Sequence, residues 1–115
     1  LYNMSKLPEE FLKHILDEAV YLINTSENLD ESDFARNETL QRAFARSLEI
    51  IGEATKNLPE EYKQENIEVD WKSVAGMRDK LIHHYFGVDY EIVWDVVKNE
   101  IPKLKLDIEK LIEVK

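Results

Sequence analysis

The sequence predicts an all-α fold, an antiparallel four-helix bundle with one extra short helix, and three observations predict it. Apolar residues recur at three-and-four spacing along most of the chain. Only three glycines and three prolines interrupt 115 residues. The amphipathic segments are joined by short connections, so they can bury their apolar stripes only against one another. A chain of this length can bury one core but not two, which predicts a single domain over residues 4–115. Met4-Ser5-Lys6 reads as a start, which would leave Leu1, Tyr2 and Asn3 outside the domain.

The first helix opens at Pro8-Glu9-Glu10 and carries Leu12, Ile15, Leu16, Ala19, Leu22 and Ile23 on one face. It fades at Thr25-Ser26-Glu27-Asn28, whose side chains compete for their own backbone. Asp30 or Ser32 is placed to cap a second, long helix running to about Lys56, with Phe34, Leu40, Phe44, Leu48 and Ile51 as its stripe. Leu58-Pro59-Glu60-Glu61 starts a short helical turn or a surface loop. Asp70 caps a third helix that begins at Trp71 and runs to a left-handed C-cap at Gly87. Asp89 caps the last, whose stripe runs Tyr90, Trp94, Val97, Ile101, Leu104, Ile108 and Leu111. Pro102 lies inside that stripe and predicts a kink, because the apolar spacing continues on both sides.

The chain has no cysteine, which excludes disulfides, thiolate metal sites and a cysteine nucleophile. Its apolar runs fall far short of the roughly 20 residues that span a bilayer, so a cytoplasmic protein with no membrane partner is expected. Three histidines without clustered carboxylates at ligand spacing indicate no structural metal and no cofactor. The net charge of −9 opposes general adhesion to nucleic acid. The charge is uneven, however. Residues 71–86 hold Lys72, Arg78 and Lys80 against Asp79, a net of +2, so the remainder carries −11. Such an electropositive spot on an acidic body can hold a phosphate.

That spot contains the stretch MRDKLIHHYFG, residues 77–87. A histidine pair at a helix C-terminus can simply complement the helix dipole, with Tyr85 and Phe86 in the core. Along one continuous helix at about 100° per residue, Arg78 and Tyr85 share a face while His83 is turned about 140° from Arg78. Convergence of Arg78 and His83 therefore requires either that the helix loosens before His83 or that two copies of the chain meet about a twofold axis.

Arg78, four residues, His83, one residue, Tyr85 forms the pattern R-x4-H-x-Y, and with it the sequence resembles the HepT-like branch of the HEPN superfamily, toxins of prokaryotic toxin–antitoxin pairs. The resemblance extends through Ile50-Ile51-Gly52-Glu53-Ala54, Trp71 with Gly76-Met77-Arg78, His84-Tyr85-Phe86-Gly87-Val88-Asp89 and Val93-Trp94, covering most of residues 5–110. It implies a HEPN-like helical homodimer that is a metal-independent ribonuclease, with paired motifs in a cleft at the dimer interface. His83 would then be the general base or acid, and Arg78 would bind the scissile phosphate of an RNA substrate. Tyr85 would support the motif or accept AMP from a cognate MntA-like nucleotidyltransferase antitoxin, whose added negative charge beside Arg78 would repel RNA. Asp79 would orient Arg78 or a histidine across the interface, or stand as a solvated charge. Glu53 would pair with Arg78 or His83, or stand at an exposed edge, and Gly52 would allow close helix approach. His84 would be substrate-adjacent or at the surface, and Lys80 solvated. Glu60-Glu61 and Asp30-Glu31 suit solvated caps better than acid–base pairs. A second reading keeps the fold but not the chemistry: a non-catalytic helical partner subunit of a nucleotidyltransferase.

Overall fold

A computed structural model describes residues 7–83 and 87–113, in which the expected all-α bundle is present with more short helices than the one anticipated. Helix α1 (Leu7–Ser26) buries Leu12, Ile15, Ala19 and Leu22 almost completely, the face its spacing marks out. It lies against α3 (Glu38–Asn57) and α8 (Ile101–Glu113), and α3 in turn against α5 (Trp71–Ala75) and α6 (Met77–Leu81). No helix among the described residues is long and apolar enough to cross a membrane.

The long second helix expected from Asp30 to about Lys56 is two helices, α2 (Glu31–Ala35) and α3 (Glu38–Asn57). Asp30 caps α2 in a reciprocal box with Asp33, whose N–H donates to the Asp30 carboxylate at 2.8 Å. The break follows because Asn37 is a second capping residue: its side-chain oxygen accepts from the Leu40 N–H at 3.0 Å. Gln41 closes the joint by donating to the carbonyls of Phe34 and Ala35, both at 3.0 Å, so the end of α2 keeps its hydrogen bonds. The corner drives Phe34 into the core between Phe44, at 5.0 Å between ring centres, and Trp94, at 5.2 Å.

After α4 (Glu60–Glu65), Asp70 caps α5 (Trp71–Ala75) as expected, accepting from the Ser73 N–H at 3.1 Å. Gly52 of α3 faces this helix. A Cβ added there would stand 3.3 Å from the Ala75 carbonyl oxygen, so the two backbones approach more closely than a side chain readily allows.

The single helix expected over residues 71–86 is corrected twice. It breaks at Gly76, which ends α5 and precedes α6 (Met77–Leu81), and it stops at Leu81, where Ile82 turns extended. The Leu81 carbonyl accepts from the Asp89 N–H at 2.7 Å, and β1 (Ile82–His83) pairs antiparallel with β2 (Gly87–Val88). Gly87 does adopt the expected left-handed backbone, φ 77°, but it serves this hairpin rather than a helix end. His84, Tyr85 and Phe86, between the two strands, lie outside the described residues, as do residues 1–6 and 114–115.

Asp89 caps α7 (Tyr90–Asn99) by accepting from the N–H groups of Glu91 and Ile92. The last helix is interrupted rather than merely kinked: α8 (Ile101–Glu113) starts after Glu100. Pro102 has no N–H to return to the preceding turn, which removes a rung of the ladder where the chain changes direction. The apolar stripe survives the interruption, with Val93, Val96, Val97, Ile101, Leu104 and Ile108 all buried.

Candidate active site

Helix α6 has only five residues, and burial decides which of them point outward. Met77 and Leu81, one turn apart, are buried, which leaves Arg78, Asp79 and Lys80 on the exposed side. Lys80 is exposed, as expected, and its ammonium pairs with the Glu100 carboxylate at the α7–α8 joint at 2.7 Å.

Arg78 points toward α3. Its Nε donates to Oε2 of Glu49 at 2.9 Å, a contact between residues 29 apart in sequence. The other oxygen of Glu49 faces the Arg46 guanidinium at 3.6 Å, and Arg46 also meets Glu53 at 3.9 Å. One carboxylate therefore bridges two arginines. The hydrogen bond from Arg78 and the negative charge of Glu49, with Asp79 and Glu53 adding to the field, push the guanidinium further above its ordinary pKa. It is a fixed cation at every physiological pH. About half of the Arg78 side chain remains exposed, and no other described side chain hydrogen-bonds it.

The two acidic residues considered from sequence take secondary places around this pair. Glu53 ion-pairs with Arg46, not with Arg78, which it influences only through space. Asp79 is exposed and contributes charge without a described bond to the guanidinium. Glu49 is the residue that sequence reasoning passed over. Its only signal is its position four residues before Glu53, on the same helix face.

Arg78 and Glu49 stand at a cleft of about 160 Å³ lined also by Arg42, Ala45, Arg46, Leu81, Ile82, Val88 and Tyr90. The end of α6 at Leu81 removes the obstacle that a continuous helix would have raised, since the 140° offset between Arg78 and His83 no longer applies once residue 82 is extended. The backbone of His83 sits in β1 opposite Gly87. The expected roles of its imidazole, of His84 and of Tyr85 fall outside what the structure describes. Among the described residues, no group of three or more His, Cys, Asp or Glu side chains is placed to hold a metal ion.

Comparison with known proteins supplies the context for this geometry. A protein of Caldanaerobacter subterraneus subsp. tengcongensis described as a candidate RNase is 48% identical over 108 residues, covering 94% of this chain and 96% of its own. A candidate RNase of Methanocaldococcus jannaschii is 45% identical over 90% of this chain and 85% of its own. The "Probable ribonuclease HepT" of Thermococcus cleftensis is 41% identical over 94% of this chain and 98% of its own. No solved structure matches. The family model described as "Ribonuclease HepT-like" matches residues 11–111, nearly the whole helical bundle, and the chain belongs to the HepT-like ribonuclease family.

Proposed function

We propose that this chain is the toxin of a toxin–antitoxin pair, an endoribonuclease that works without a metal as a homodimer. The observation that carries the proposal is the posture of Arg78, gripped at Nε by Glu49 and half exposed on the rim of a cleft. A guanidinium held at one edge is oriented before substrate arrives, and its remaining N–H groups match two oxygens of a phosphodiester. In the reaction the 2′-hydroxyl of the RNA attacks phosphorus, the O2′–P bond forms and the P–O5′ bond breaks. His83 of one protomer removes the 2′ proton, and the same residue of the second protomer returns a proton to O5′. Arg78 stabilises the phosphorane charge between these events.

The test is incubation of purified, unmodified protein with structured RNA in EDTA. Cleavage that is lost in Arg78→Ala and in His83→Ala, both still helical by circular dichroism, supports the proposal. Absence of cleavage under any condition overturns it in favour of a non-catalytic partner subunit.

Glu49→Ala separates orientation from attraction. Losing the anion makes the cleft more positive and tightens RNA binding, yet Arg78 loses its alignment. Both KM and kcat should fall, kcat by about tenfold.

The neutralising partner in this proposal is a nucleotidyltransferase that binds the toxin, transfers AMP to Tyr85, or both. AMP on the Tyr85 oxygen would add a bulky anion to the motif that binds RNA and so oppose RNA phosphate. Incubating the toxin with its nucleotidyltransferase and ATP should add one or more AMP masses to wild type and none to Tyr85→Phe. An unchanged adduct on Tyr85→Phe assigns the modification elsewhere.

A further inference from the structure

Arginine is scarce in this chain, and its placement is not even. The fifteen basic residues include only four arginines, at positions 36, 42, 46 and 78, and the other eleven are lysines. Three of those four arginines, Arg42, Arg46 and Arg78, line the single 160 Å³ cleft described above. Among the described residues, no lysine lines the cleft. Arg42 and Arg46 are one turn apart on α3, about 6 Å along the axis, a separation on the order of one nucleotide step.

We infer that Arg42 and Arg46 form a second phosphate-binding subsite that holds the RNA backbone next to the phosphodiester gripped by Arg78. This inference rests on the ribonuclease reading. Two features of the cleft support it. Two of the carboxylates that accompany these arginines are held in exposed ion pairs, Glu38 with Arg42 at 3.4 Å and Glu53 with Arg46 at 3.9 Å, while the half-buried Glu49 meets Arg46 at a loose 3.6 Å. Such pairs are weak and screened, so a phosphate displaces them readily. The lining also includes Leu81, Ile82, Val88 and Tyr90, apolar side chains with one aromatic ring, a surface that suits sugar and base. On a body of net charge −9, concentrating planar phosphate-binding forks in one cleft confines RNA to that cleft and rejects it elsewhere. Arg42 and Arg46 are positioning residues here, since neither is assigned contact with the reacting atoms.

The experiment measures fluorescence anisotropy of a 2′-O-methyl oligoribonucleotide, which cannot be cleaved, with wild type, Arg42→Gln, Arg46→Gln and the double variant in EDTA. For single strands each neutralised phosphate contributes a slope of about 0.7 in log affinity against log salt, or about fivefold between 1 M and 0.1 M. Each single variant should therefore raise Kd about fivefold at 0.1 M salt and lower the salt slope by about 0.7, with thermal melts unchanged. Arg42→Lys and Arg46→Lys should restore the slope, which a merely structural role would not do. With a cleavable RNA the loss falls on KM rather than on kcat. An unchanged Kd and slope in the folded double variant overturns the subsite and leaves the nuclease reading intact if wild type still cleaves. Binding that falls as described, together with no cleavage by wild type, overturns the nuclease reading and keeps the subsite.

Discussion

Arg78→Ala should lower kcat/KM for RNA cleavage by about 10²–10³-fold, the usual cost of removing one preorganised group that meets developing transition-state charge. The residue can be removed without unfolding the protein, because its side chain is half exposed and its bond to Glu49 joins two surface elements. Arg78→Lys should recover little of the activity, since an ammonium keeps the charge but cannot offer Nε to Glu49 and its other N–H groups to phosphate together. His83→Ala should cost a comparable 10²–10⁴-fold, the range for general acid–base catalysis. The double variant should be hardly worse than the poorer single one, because groups that act on one transition state are not additive. Initial rates of each variant on one RNA in EDTA check the set. Full activity in Arg78→Ala removes the arginine from the chemistry.

The largest effect on stability is expected at Phe44. Its ring is fully buried, tilted against Phe34 at 5.0 Å and met edge-on by Tyr21 at 6.0 Å, so three elements depend on it: α1, α2 and α3. Phe44→Ala should destabilise the fold by about 3–5 kcal/mol, through lost burial and the cavity left behind. For a domain of this size that lowers Tm by about 12–20 °C. In urea titrations the midpoint should fall with the slope unchanged, the signature of lost stability rather than of an altered denatured state. The consequence reaches the cleft, because Phe44 lies on α3 between Arg42 and Arg46. A midpoint within error of wild type shows that the aromatic cluster does not support this corner.

Much of this architecture is legible along the chain because its causes are local. The buried face of α1 follows from residues three and four apart. The caps at Asp30, Asp70 and Asp89 follow from carboxylates placed just before apolar runs, and the positive φ of Gly87 from the one residue type that adopts it without strain. Three of the errors share one cause. Asn37 and Gly76 lie inside apolar stripes that continue on both sides, and the chain also breaks at Glu100, just before Pro102 in such a stripe. Periodicity joins such segments; whether a cap or a missing N–H divides them depends on what each half packs against. At Asn37 the cap on the Leu40 N–H divides the helix, and the corner it makes is held by Phe34 packed between Phe44 and Trp94.

For the site, the division is sharper. Arg78, His83 and Tyr85 stand within eight positions of one another, and it is the resemblance to the HepT-like pattern that singles them out, while the electropositive character of their segment is read from composition. Composition and periodicity likewise determined that the chain is helical, single-cored and acidic. Only the tertiary structure decided that the motif helix stops at Leu81, that Glu49 rather than Glu53 grips Arg78, and that Arg42 and Arg46 share its cleft. The reason is physical. Helical periodicity and capping act within a few residues, whereas a carboxylate 29 positions away meets a guanidinium only after Gly52 has let the helices of α3 and α5 approach and α6 has buried Met77 and Leu81.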